Sequence, residues 1–78
     1  MLYLNKLHKK MEEFEIKGDY IELIALLKAT GIAETGGQAK GMVDEGLVKV
    51  NGVVEFRKRA KLLRGNVVVV EQVIIKIN

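Results

Sequence analysis

Gly46-Leu47-Val48-Lys49-Val50-Asn51-Gly52-Val53-Val54-Glu55-Phe56 is the stretch that decides the fold. Short apolar runs lie on either side of Asn51-Gly52. Asn-Gly in that setting is the strongest short-range hairpin signal, because both central residues of a type I′ turn need positive φ. Two short strands joined by a tight turn are expected. Lys49 points opposite Val48 and Val50, toward solvent or a ligand.

Two helices are expected upstream. Asp19 stands three residues before Glu22 as a capping pair, and Tyr20, Leu23, Ile24 and Leu27, widened by Ile21, Ala25 and Leu26, recur at helical spacing until Gly31. Thr35 and Gln38 repeat the capping arrangement, which predicts a second helix from Gly36 to Glu45 with Ala39, Met42 and Val43 inward and Gly46 as a left-handed stop. Gly41, inside that helix, costs it roughly 1 kcal/mol relative to alanine, which points to close packing there. Further upstream, Phe14 and Ile16 alternate with Glu13 and Glu15, the period of a strand with one wet face, ended by Gly18.

Downstream, Gly65-Asn66 turns the chain into a strand over Val67 to Val70, and Glu71-Gln72 turns it into another over Val73 to Ile77. Strand, helix, helix, hairpin, strand, strand gives an α+β fold with two helices packed on one face of a small antiparallel sheet. Phe14, Tyr20 and Phe56 are assigned to the core of that sandwich.

A chain of 78 residues and 8.7 kDa supports one small domain, which buries only ~60% of the surface its unfolded form exposes. With no cysteine and no serine in the sequence and His8 as the single histidine, thiolate zinc sites, disulfides and Ser-His-Asp chemistry all lack their parts. No catalysis, cofactor, metal or small-molecule substrate is expected. No apolar run approaches the ~20 residues of a membrane span, so a cytoplasmic protein with no membrane partner is expected. Residues 1–10 carry Lys6, Lys9 and Lys10. They are expected to form a basic extension outside an ordered domain over residues 11–78, with Met11 at the boundary.

Net charge is only +3, but it is unevenly spread. Residues 11–39 hold two basic and six acidic side chains, and residues 40–64 hold seven basic and three acidic. Within the latter, Arg57, Lys58, Arg59, Lys61 and Arg64 follow one another with no acid among them. Such a run repels itself unless an anion is near, and the planar guanidinium fork suits phosphate. In an extended segment Arg57 and Arg59 would aim their forks the same way, with Lys61 continuing the row. Lys40, one turn into the second helix beside Gly36-Gly37, is a further phosphate candidate.

The helix link Gly31-Ile32-Ala33, the cap at Thr35, the helix anchor Ala39, the hairpin Gly46-Leu47-Val48-Lys49-Val50-Asn51-Gly52 and the late Gly65-Asn66 turn together resemble the RNA-binding domain named for ribosomal protein S4. With Thr35-Gly36-Gly37-Gln38-Ala39-Lys40 and Arg57-Lys58-Arg59-Ala60-Lys61, the chain is similar to the small stand-alone YbcJ family within that group. The resemblance implies a non-enzymatic module whose helical face and adjoining β-loop contact structured RNA; a monomer is expected, with ribosomal RNA or a ribosome assembly intermediate as its target. Many members of the wider superfamily carry an arginine directly after the capping residue, where this chain has Gly36. The contact surface is therefore expected to shift toward the β-loop.

The expected RNA-binding residues are Arg57, Lys58, Arg59, Lys61, Lys40 and Lys49. Few aromatics remain once the core is assigned, which favours recognition of shape and phosphate over base stacking. The alternative is a protein-interaction adaptor that adds a partner strand to an exposed edge at Val67 to Val70 or Val73 to Ile77.

Overall fold

A computed structural model describes residues 10–78, beginning with strand β1 (Lys10–Phe14). There follow β2 (Ile21–Glu22), α1 (Leu23–Ala29), α2 (Gly36–Asp44), β3 (Val48–Val50), β4 (Val53–Val54), β5 (Lys61–Leu62), β6 (Val67–Val70) and β7 (Val73–Ile77). Five strands form one sheet in the order β1-β7-β6-β3-β4, and β2 pairs with β5 in a separate two-stranded ladder. Of the expected basic extension, residues 1–9, including His8, lie outside the described residues. Lys10 instead starts β1, and its amide donates to the Gln72 carbonyl at 2.7 Å.

The deciding hairpin forms as the sequence requires. Asn51 and Gly52 take φ of 51° and 86°, the left-handed pair of a type I′ turn. Asn51 does a second job as well: its backbone N–H donates to the Val67 carbonyl and its Oδ1 accepts the Val67 N–H, both at 2.8 Å, so one residue ties the hairpin to β6.

Helix α2 also follows its signals. The Thr35 hydroxyl accepts the Gln38 N–H at 3.1 Å, the Gln38 side chain accepts the Glu34 N–H at 2.7 Å, and Gly46 closes the end at φ 76°. One face of the sheet supplies Val48, Val68, Val70, Ile75 and Ile77, which meet Leu23, Leu26 and Leu27 of α1 and Ala39 and Val43 of α2; none is more than 1% exposed. Each such aliphatic side chain contributes about 1.5–3 kcal/mol on burial, and this contact holds the helices to the sheet.

The α+β class and the single helical face hold, but the sheet is mixed rather than wholly antiparallel. β1 runs parallel to β7, from Lys10 opposite Val73 to Phe14 opposite Ile77. A parallel pair needs a long crossover, and both helices and the hairpin lie between these two strands. Alternation reports which side of a strand is wet and says nothing of its direction.

The Asp19-Glu22 cap does not form. Ile21 and Glu22 are drawn into the ladder with Leu62 and Lys61, Glu22 becomes the N-cap without a side-chain hydrogen bond, and α1 starts at Leu23. Its first amides donate instead to carbonyls of the basic loop, Leu23 to Ala60 at 2.9 Å and Ile24 to Lys58 at 3.2 Å. Val67 to Val70 and Val73 to Ile77 are not edges, since each lies between two other strands; among the described residues the outer strands of that sheet are β1 and β4. Gly41 meets no atom within 4 Å of where a Cβ would stand, so close packing is not its reason. Tyr20 and Phe56 are exposed: Tyr20 lies just before the two-residue strand β2 and Phe56 in the loop just after β4, both outside the paired strands.

Candidate nucleic-acid interface

The loop that follows β4 is seated by small and apolar residues. Ala60 and Leu62 are buried, the Ala60 N–H closes a turn onto the Arg57 carbonyl at 3.1 Å, and the carbonyls of Lys58 and Ala60 hold the start of α1. The backbone is thus committed to the core while Arg57, Arg59 and Lys61 face out. The expected extended row of Arg57, Lys58 and Arg59 is a turn instead, and only Arg59 and Lys61 alternate with buried Ala60 and Leu62.

The two guanidinium groups do not aim the same way. Arg57 is gripped by Glu55, with Nε and the backbone N–H both 2.9 Å from one carboxylate oxygen and a terminal nitrogen 3.0 Å from the other. Arg59 reaches back to α1, its Nε 3.2 Å from Glu22. Between them Lys58 places its Nζ 2.7 Å from Asp44 at the end of α2, and Lys61 holds its ammonium 4.8 Å from the centre of the Tyr20 ring, a cation–π contact. The hydrogen bonds from Arg57 hold the Glu55 carboxyl below its ordinary pKa, and those to Glu55 and Glu22 raise Arg57 and Arg59.

Each cation is therefore held in a fixed place by an anion or a π-face while staying open to solvent; the Arg57 and Arg59 side chains are 79% and 81% exposed. Exposed pairs of this kind contribute little net stability, so a phosphate can take the place of the acid at small cost. Arg57, Arg59 and Lys61 line one open depression with Ala60. Arg59 also lines a second, between the helices, with Glu22, Ile24, Ala25, Lys28 and Lys40.

Of the six residues expected at the site, the structure gathers Arg57, Arg59, Lys61 and Lys40 around these two adjoining depressions, with Lys58 beside them on Asp44. Lys49 does not join them. It stands across from Val54 and Val69, on the sheet face turned away from the helices. Lys28 lies in the last turn of α1, where it complements the helix dipole, and lines the same depression as Lys40. Arg64 is committed elsewhere, donating to the Ile16 carbonyl at 3.1 Å.

Glu22 and Asp44, distant in sequence from the cations they hold, and the exposure of Tyr20 and Phe56 carry no local signal in the sequence. Glu55 was findable, since it precedes Arg57 by two residues. Among the described residues no group of three or more metal-ligating side chains occurs, and no helix is long and apolar enough to cross a membrane.

A mixed five-stranded sheet backed by two helices, the second capped at Thr35 and leading through Gly46 into an Asn-Gly hairpin, defines an S4 domain. The chain belongs to the S4-domain family, whose model matches residues 14–78. Among its relatives is YbcJ of Escherichia coli strain K12, whose name proposes RNA binding; it is 50% identical over 52 residues, spanning 67% of this chain and 74% of that protein. YbcJ of Shigella flexneri, whose function is uncharacterized, matches to the same extent. The solution structure of the Escherichia coli protein, described as revealing an alpha-L motif involved in RNA binding, superposes with a TM-score of 0.65 at 41% identity, covering 83% of this chain and 84% of that one.

Proposed function

We propose that this protein is a non-enzymatic, monomeric, cytoplasmic RNA-binding module. It docks on structured RNA, ribosomal RNA or a ribosome assembly intermediate, through the loop from Arg57 to Lys61 and the adjoining Lys40 of α2. The observation that carries this reading is the seating of that loop. Buried Ala60 and Leu62 and the two carbonyl contacts to α1 present Arg57, Arg59 and Lys61 on a fixed backbone, so little conformational entropy is lost when phosphates bind. The RNA-binding description of the Escherichia coli relative supports the same reading.

Phosphate contacts of this kind give affinity with little sequence preference. Replacing Arg57, Lys58, Arg59 and Lys61 together by glutamine is expected to weaken binding to any structured RNA while the circular dichroism spectrum stays native. Unchanged RNA affinity in that folded variant would refute the assignment.

A further inference from the structure

Among the described residues, the most exposed large apolar side chain in the basic segment is an aromatic one. Phe56 is 61% exposed, immediately before Arg57, yet it is held in place. A Cβ at Gly46 would stand 3.6 Å from Cε1 and Cζ of the Phe56 ring and 3.8 Å from Val54, so the end of the ring lies beside Gly46. The backbone is pinned on both sides as well, by the Glu55 N–H donating to the Val48 carbonyl at 2.9 Å and the Arg57 N–H donating to Glu55 at 2.9 Å.

We propose that Phe56 is a stacking platform for an unpaired base, so that the site takes RNA with a bulged or looped-out nucleotide rather than a continuous helix. The inference rests on the RNA reading above and specifies the RNA class. A base stacked on the exposed ring carries its own phosphates, and the Arg57 guanidinium, one residue along the chain and held by Glu55, is available to meet them. Charge selects the occupant. An apolar protein surface seated on Phe56 would desolvate the exposed Arg57–Glu55 pair and offer it no new partner, whereas a nucleotide supplies a π-face for the ring and a phosphate that can take the place of the Glu55 carboxylate on the fork. Tyr20 is the poorer platform: it is 42% exposed and the Lys61 ammonium already occupies its ring.

The test uses the full chain and two RNA hairpins that differ only by one bulged 2-aminopurine nucleotide. The wild type is expected to bind the bulged hairpin about 5- to about 150-fold more tightly than the paired one, the range that one base stacked on an aromatic ring provides, and to quench its fluorescence. Phe56→Leu, with native circular dichroism, is expected to lose both the preference and the quenching while keeping its affinity for the paired hairpin; Phe56→Trp is expected to retain both. Equal wild-type affinity for the two hairpins, or a Phe56→Leu protein that keeps the preference, would overturn the inference and leave the phosphate reading intact. Binding to neither hairpin would overturn both. A change of oligomeric state in Phe56→Leu, with RNA preference unaltered, would assign the ring to a protein contact and overturn the inference.

Discussion

Glu22, Asp44 and Glu55 hold Arg59, Lys58 and Arg57, and at the scale of single residues they are the rivals of any bound phosphate. Removing one rival without disturbing the backbone should help the ligand. Glu22→Gln is predicted to raise RNA affinity a few-fold at low salt, because Glu22 lies in the same depression as Lys28, Lys40 and Arg59. A fall in affinity at unchanged melting temperature would show that Glu22 orients Arg59 for its ligand instead. The Arg57–Glu55 pair also fixes a pH dependence. Since the carboxyl is held below its ordinary pKa, its contribution to stability is fully present above the unfolded value of ~4.3 and is lost as pH falls through the lower folded one. RNA affinity at this pair is therefore expected to be flat between about pH 6 and about pH 8; a step in that range, seen in a pH titration of binding, would contradict it. Little of this was legible. Glu55 is local to Arg57, but Glu22 is 37 residues from Arg59, and only the folded topology brings them together.

At the scale of elements, legibility depended on whether the signal was local. The Asn51-Gly52 turn and the Thr35 cap are set by residues within four of each other, and both formed as read. The Asp19 cap failed because a non-local partner, the ladder with Leu62 and Lys61, offered Ile21 and Glu22 cross-strand hydrogen bonds in place of a helical turn. The exposure of Phe56 was hidden for a related reason: apolar patterning marks a strand face without saying whether anything covers it. Two glycines separate the backbone effects. Gly52→Val forces a β-branched residue to φ 86° with open space around it, so it is predicted to destabilise through backbone strain by more than ~1 kcal/mol. An unchanged melting temperature would exclude the turn. Gly41→Ala sits inside α2 with no positive φ and no neighbour within 4 Å, so it is predicted to stabilise by up to about 1 kcal/mol. A lower melting temperature for that variant would mean that α2 requires the glycine.

Over the whole molecule, the order of elements and the helical face of the sheet were legible because hydrophobic period and turn chemistry agree along most of the chain. Strand direction and the sheet order β1-β7-β6-β3-β4 were not, since β1 and β7 meet from opposite ends of the described chain. That closure determines the function proposed here. It places β6 and β7 between neighbours, so neither of the two strands expected to offer an adaptor its edge does so, and leaves the loop between β4 and β5 as the place where cations collect on a fixed backbone. The central claim is that this loop binds RNA by neutralising phosphates. If so, log affinity for a structured RNA must fall linearly with log salt, each contact contributing ~0.7 to ~0.9. With Arg57, Lys58, Arg59, Lys61 and Lys40 as five candidates, of which one or two miss their phosphates, a slope of magnitude roughly 2 to 4.5 is expected. The direct measurement is a titration of a structured ribosomal RNA fragment at several salt concentrations, with wild type and the four-glutamine variant side by side. The account predicts a slope in that range for the wild type and one below roughly 1 for the variant; equal slopes for the two proteins, or a wild-type affinity indifferent to salt, would contradict it.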